Sequence, residues 1–463
     1  MAQVIGTGPN QVPSNSNLGD LAYRNKAQIA GEFATAAQGT TADTALQPAD
    51  LGATDLPDIS PTLNLDFANA QSITSKTTYT RASTATYYDA SGTLQTAAVD
   101  APRFDHDPAT GERLGILLEE QRTNLLTYSE QFDNAAWAKV RSTITANAAT
   151  APDGTTTADK IVEDTTASST HPVYQGSTGF AAGVTATASV FLKAGERTFV
   201  SIGSPASATG TGVNLTTGEL VDVNVPGWTN AATRSVTDIG GGWYRVYYSF
   251  TTVGSDALSD ALRIFPNNGT TTSYTGDGTS GLYVWGAQLE VGSFPTSYIK
   301  TEASQVTRSA DDLSITGTNF TDFYNQSEGT FVLGLDYIGA TAATPVLFSA
   351  GTSFSDSTYI SNPSTNLGLS IIVGGAAQYT GSSLVRPSTP FKTAIALKQD
   401  DMAFVIDGGT VSTDTSGTIP TVTNLYLGRA SWNAGNYACI HIKSLTYYPR
   451  RLTNVQLQAL TTE

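Results

Sequence analysis

The chain has 463 residues, of which only 14% are charged, with 43 Gly and 19 Pro; an average soluble domain is about 25% charged. Asp and Glu outnumber Lys and Arg by 40 to 24, a formal charge of -16, which argues against a nucleic-acid binder. No apolar run reaches the roughly 18 residues of a membrane span, the start MAQVIGTGPN lacks the basic and apolar parts of a secretory signal, and a single Cys, Cys439, excludes a disulfide framework.

Residues 1–60 contain one Tyr, one Phe and no Trp. So poor an apolar content cannot make its own core. The segment reads as a linker or as a docking and oligomerisation arm, with Val12, Leu18, Leu21, Tyr23 and Ile29 as scattered anchors.

Residues 61–125 read as short strands and turns forming a connecting module. Leu63-Asn-Leu-Asp-Phe67 alternates with period two, as a half-buried strand does. Asp89-Ala-Ser-Gly92 and Asp107-Pro-Ala-Thr-Gly111 are turn signals. Residues 126–310 hold strand candidates at even spacing, the strongest being Trp243-Tyr-Arg-Val-Tyr-Tyr-Ser-Phe250 after the turn Gly240-Gly-Gly242. Short strands with no long helix predict an antiparallel jelly roll. Residues 311–463 repeat the style, with a turn at Asp407-Gly-Gly409 and a closing helix capped by Thr453 with Gln456 three positions on. The expected fold is mainly β: an N-terminal arm followed by two antiparallel sandwiches.

Several phrases carry a resemblance. Tyr79-Thr-Arg-Ala-Ser-Thr-Ala-Thr-Tyr, Ala101-Pro-Arg-Phe, Gly115-Ile-Leu-Leu-Glu-Glu-Gln-Arg-Thr-Asn-Leu-Leu-Thr-Tyr-Ser, Gly242-Trp-Tyr-Arg, Trp285-Gly-Ala-Gln-Leu-Glu-Val-Gly, Pro295-Thr-Ser-Tyr-Ile-Lys-Thr and Val306-Thr-Arg-Ser-Ala-Asp run from 79 to 311. Together they resemble a module of phage tail-fibre and capsid-fibre proteins that continues into a carbohydrate-binding-like jelly roll. Gly329-Thr-Phe-Val, Leu425-Tyr-Leu-Gly-Arg and Ile442-Lys-Ser-Leu-Thr-Tyr-Tyr-Pro-Arg-Arg-Leu look like a laminin-G or concanavalin-type sandwich. The resemblance implies a homotrimeric virion protein. Its arm would dock on other virion proteins, and its sandwiches would meet host-surface glycan. It implies neither nucleic-acid binding nor membrane insertion. A purely structural head or tail decoration protein is the alternative, and a polysaccharide depolymerase the weaker one.

Adjacent Glu119 and Glu120 point to opposite faces of a strand, so they are expected to be one exposed and one salt-bridged rather than a catalytic pair. Asp311-Asp312 is expected to cap a turn at a domain junction. No long β-helix period of the depolymerase kind is found, so no enzyme activity is expected. Sugar binding needs exposed aromatic faces beside amides. Trp137, Trp243 and Trp285 read as core. Trp228, and Trp432 with Asn433, Asn436 and Tyr437, sit in expected loops and are the ligand-binding candidates. No cofactor is expected. Loop carboxylates such as Asp105, Asp107, Asp153, Asp159 and Asp277 leave a structural Ca2+ open, but they lack EF-hand spacing and no ligands are assigned.

Overall fold

The computed structural model describes residues 56–177, 181–205, 207–252, 258–269, 271–363, 365–379, 383–388, 390–433 and 435–462. The arm candidates Val12, Leu18, Leu21, Tyr23 and Ile29 lie outside these described residues. The chain divides into a unit of residues 1–58 and a compact unit of residues 59–463.

The larger unit is mainly β, with four principal sheets. Two of them form an outer sandwich. Its first sheet runs Ser412–Asp414, Met402–Ile406, Phe391–Lys398, Glu328–Gly339, Cys439–Tyr448, Arg113–Leu118 and Phe104–His106, with Leu63–Asp66 also on Cys439–Tyr448. Its second runs Thr78–Thr80, Asp312–Thr316, Asn424–Leu427, Val346–Ser353, Asp356–Ser361, Asn366–Val373 and Ala376–Ala377. Period-two side chains explain the facing. In Asp312–Thr316, Leu313 and Ile315 enter the core, as do Leu425 and Leu427 of Asn424–Leu427. They meet Phe331, Leu333, Ile395, Ile440 and Ile442 of the opposite sheet.

The other two sheets form a sandwich inserted into the first. One runs Thr233–Gly240, Trp243–Thr251, Thr185–Ala194, Gly281–Val291, Ala158–Glu163 and Ser142–Ala149. The other runs Glu219–Val221, Thr209–Asn214, Phe199–Ser204, Leu258–Asn267, Val173–Ser177 and Ala138–Lys139. Val190, Leu192, Val246 and Val284 of one face Val200, Ile202, Val213 and Ile264 of the other. The three core tryptophans are buried, Trp137 tilted against Phe132 at 4.4 Å and Trp285 edge to face with Phe191 at 5.3 Å.

The chain enters and leaves the insert through one two-stranded ribbon, Arg122–Asn124 against Val306–Arg308, with Arg122 opposite Arg308. Most strands of residues 61–125 therefore join the sheets of the outer sandwich, while Ala85–Tyr88 and Leu94–Ala97 pair with each other. Leu63 pairs with Tyr447, Thr78 with Ser314 and Ile116 with Ile442. A boundary at 125 divides, in sequence, strands that share sheets in space. The reason is edge satisfaction: strands this short pair with longer neighbours to complete their hydrogen bonds. The closing helix Asn454–Thr461 has the expected capping box, Thr453 with Gln456. It covers Ala394, Ala396 and Val405 on the outer face of the first sheet.

Candidate functional site

The second sheet of the outer sandwich carries a row of aromatic and hydroxyl side chains on its outward face. The register places Thr78 beside Ser314, Ser314 beside Tyr426, Tyr426 beside Ser349, Ser349 beside Tyr359 and Tyr359 beside Ser370. The alternate residues on these strands fill the core, so this row must face outward. Loop 428–438 folds over part of it. Gly428 turns the chain at a φ of +73°, which a side chain would strain. Ser431 reaches the Ser349 hydroxyl at 3.1 Å, and the Ala438 N–H closes the loop by donating to the Gly428 carbonyl at 2.9 Å.

This loop sets Trp432 on the sheet. Its ring meets Tyr359 at 4.9 Å and Phe354 at 5.4 Å, both edge to face. Phe354 occupies the turn between Val346–Ser353 and Asp356–Ser361 and is 49% exposed. Trp432 and Tyr359 are half-buried. A large apolar ring at a hairpin tip is unusual for a turn built from Ser and Asp. Phe354 and Tyr359 escaped the sequence reading, because nothing near Trp432 in the chain points to them. The signal available was Phe354 itself, an aromatic inside the polar turn Ser353-Phe-Ser-Asp356.

The amides beside Trp432 are engaged. Asn433 donates to the Asn436 side chain at 2.8 Å, and Asn436 donates to the Thr344 carbonyl at 2.7 Å. Tyr437 is half-buried within electrostatic reach of Arg429 and Asp312. Burial pushes its phenol up, moderated by Arg429 and reinforced by Asp312. Arg429 stacks on Tyr426 at 4.1 Å and pairs with Asp312 at 2.5 Å. Trp228 belongs to the insert and is not part of this face. It packs on Phe265 at 5.6 Å and over Gly203, and is half-buried.

The expected division of Glu119 and Glu120 does not occur: both are buried and both are paired. They lie beyond the end of Arg113–Leu118, so strand alternation no longer governs them. Glu119 bonds Arg103 at 2.7 Å and the Ser297 hydroxyl at 2.6 Å. Burial alone would raise its pKa, but Arg308 and Arg103 hold the carboxyl well below the usual range. Glu120 pairs with Arg122 at 2.7 Å and accepts from the Thr341 hydroxyl at 2.7 Å. Asp311 does more than close a turn. It accepts from the Glu119 N–H at 2.8 Å, Tyr79 at 2.5 Å and Arg103 at 2.5 Å. Asp312 is spent on Arg429.

Among the described residues, no group of three or more His, Cys, Asp or Glu is arranged to hold a metal. The loop carboxylates are occupied locally. Asp107 accepts from Ala109 and Thr110, Asp153 from Thr155, Asp159 from Phe132 and Asn147, and Asp277 from Thr279 and Ser280. Asp105 holds His441 at 3.0 Å. His106 Nδ1 lies 3.0 Å from the Tyr88 carbonyl and Nε2 2.7 Å from the Gln71 amide. The carbonyl can only accept, so Nδ1 carries the proton and Nε2 accepts. Among the described residues, no helix is long and apolar enough to cross a membrane.

No family model and no curated protein matches the chain. Among solved structures, the Trypanosoma rangeli sialidase in complex with the inhibitor DANA is 14% identical over 32% of this chain and 25% of its own, with a TM-score of 0.25. The NanB sialidase of Streptococcus pneumoniae is 14% identical over 31% of this chain and 26% of its own, with a TM-score of 0.26. The Ruminococcus gnavus IT-sialidase CBM40 is 14% identical over 31% of this chain and 88% of its own, also with a TM-score of 0.26. The chain thus spans about a quarter of each of the two sialidases. Likenesses of this size carry no argument about what the chain binds or does.

Proposed function

We propose that this chain is a non-enzymatic phage fibre protein whose outer sandwich attaches to host-surface glycan. The observation that carries the reading is the aromatic platform of Trp432, Tyr359 and Phe354. An apolar C–H face of a pyranose covers such rings, and the neighbouring hydroxyl row supplies hydrogen bonds. The fibre assignment rests on the module order read in the sequence. Residues 1–60 would dock on the particle, and a homotrimer would turn weak single sites into useful avidity.

Adsorption tests this reading. Purified full-length protein is expected to bind susceptible cells and block infection, and Trp432→Ala is expected to lose both. Equal blocking by that variant would refute the platform. Light scattering tests the assembly, because a 48.4 kDa species would overturn the trimer.

One observation favours a second reading, a structural decoration protein with no receptor. Asn433 and Asn436 bond each other and the loop backbone, so the loop is self-sufficient. Wild-type protein that neither adsorbs to cells nor competes with phage, yet is essential to particle integrity, would decide for it.

A further inference from the structure

Between the insert and the outer sandwich lies a cleft of about 340 Å³. Ile239, Arg245 and Tyr247 line it from the insert, and Tyr88, Asp105 and His441 from the outer sandwich. That volume falls in the range of small-ligand sites.

Its polar lining is unevenly satisfied. Glu119 is held by Arg103 and Ser297, Asp105 by His441 and the Tyr88 N–H, and Asp107 by its own turn. Arg245 differs. Among the described residues it forms no ion pair. Its guanidinium donates to the Ser189 hydroxyl at 3.1 Å and lies 5.3 Å from the Phe191 ring, and its buried Nε has no partner. The arginines of the neighbouring junction, Arg81, Arg103, Arg122 and Arg308, all have carboxylates. The Tyr88 hydroxyl, in the electrostatic reach of Arg245, is also buried without a partner.

A guanidinium without a counter-ion and a phenol without a partner both call for an oxygen-rich anion. Ile239, Leu117, Ile338 and Pro295 give the cleft an apolar side that suits the C–H faces of a ring, beside hydroxyls such as Thr237 and Thr296. We propose that this cleft binds one acidic sugar residue, with its carboxylate on Arg245 and a ring hydroxyl on Tyr88. The ligand class rests on the glycan reading above, whereas the place is independent of the Trp432 platform.

The test uses the full-length protein and ligand-observed saturation-transfer NMR. The probes are D-glucuronate, D-galacturonate and N-acetylneuraminate, with D-glucose and inorganic phosphate as comparisons. At least one acidic sugar should bind, with glucose roughly tenfold weaker. Measured in the Trp432→Ala background, so that the platform contributes nothing, Arg245→Met and Tyr88→Phe should each weaken that binding. Tyr88→Phe removes a single oxygen, so it decides the matter if Arg245→Met fails to fold. No transfer to any acidic sugar, equal binding of glucose, full displacement by phosphate alone, or wild-type binding by Tyr88→Phe would each overturn the proposal. Loss of cell adsorption in Trp432→Ala with cleft binding intact would show that the two sites stand separately. Intact adsorption with no cleft binding would sink this proposal alone.

Discussion

Arg103 and Asp311, 208 positions apart, meet with Nη2 2.5 Å from Oδ2 and both side chains fully buried. Around them the strand end after Arg113–Leu118, the Tyr79–Arg81 segment, Ser297 and the ribbon residue Arg308 converge. Three guanidiniums, on Arg81, Arg103 and Arg308, face the two carboxylates of Asp311 and Glu119. These residues all belong to the sequence phrases that resemble those of fibre proteins. Those phrases spell a buried ionic junction at the root of the inserted sandwich, where each carboxylate faces arginine and accepts further hydrogen bonds.

Arg103→Met is therefore expected to cost about 2–3 kcal/mol, because two buried carboxylates lose their closest cation and keep only Arg81 and Arg308. Urea unfolding followed by tryptophan fluorescence measures it. A loss under about 1 kcal/mol, the range of an exposed pair, would show that the junction is hydrated and of little consequence.

The strands were legible because period-two patterns, such as Leu63 and Leu65 inward, are written locally. The capping box at Thr453 was legible for the same reason. The junction was not. The sequence shows Glu119, Asp311 and the arginines, but which meets which depends on pairings such as Leu63 with Tyr447 that close the outer sandwich around the insert. Trp432 was legible as a loop aromatic, while its partners Phe354 and Tyr359 arrive from a different hairpin.

The two tryptophan environments give opposite expectations. Trp285 is buried against Phe191 and Tyr298, and its indole N–H donates to the Thr157 hydroxyl. Trp285→Ala should cost about 3–5 kcal/mol. Trp432→Ala removes a half-buried surface ring and should cost less than half as much, while abolishing cell adsorption. Comparable destabilisation by the two would mean that the platform is a packing device.

Gly203 makes room for Trp228. A Cβ there would sit 2.3 Å from the indole and 2.5 Å from the Thr209 carbonyl oxygen. Gly203→Ala must push the ring off Phe265, so its emission should shift to the red and stability should fall by about 1–3 kcal/mol. An unchanged spectrum would show that Trp228 is already free of that contact in solution.

His441 ties pH to the same region. Burial by itself would lower its pKa, but hydrogen bonds to Asp105 at 3.0 Å and contact with Asp336 at 3.6 Å outweigh it and push the imidazole up to about 9. Glu119 and Arg245, which share the cleft, are the other charged groups lining that side along with Asp107. The unfolded value is about 6.5. The folded state therefore binds the proton more tightly, and this contribution, about 3 kcal/mol at most, is fully present below pH 6.5. It fades as pH rises through about 9. Thermal unfolding between pH 6 and 10 should show the midpoint falling across that window, and His441→Gln should be less stable at pH 6 and flatter across it. A wild-type midpoint that is level from pH 6.5 to 9 would mean that the imidazole stays neutral beside both carboxylates.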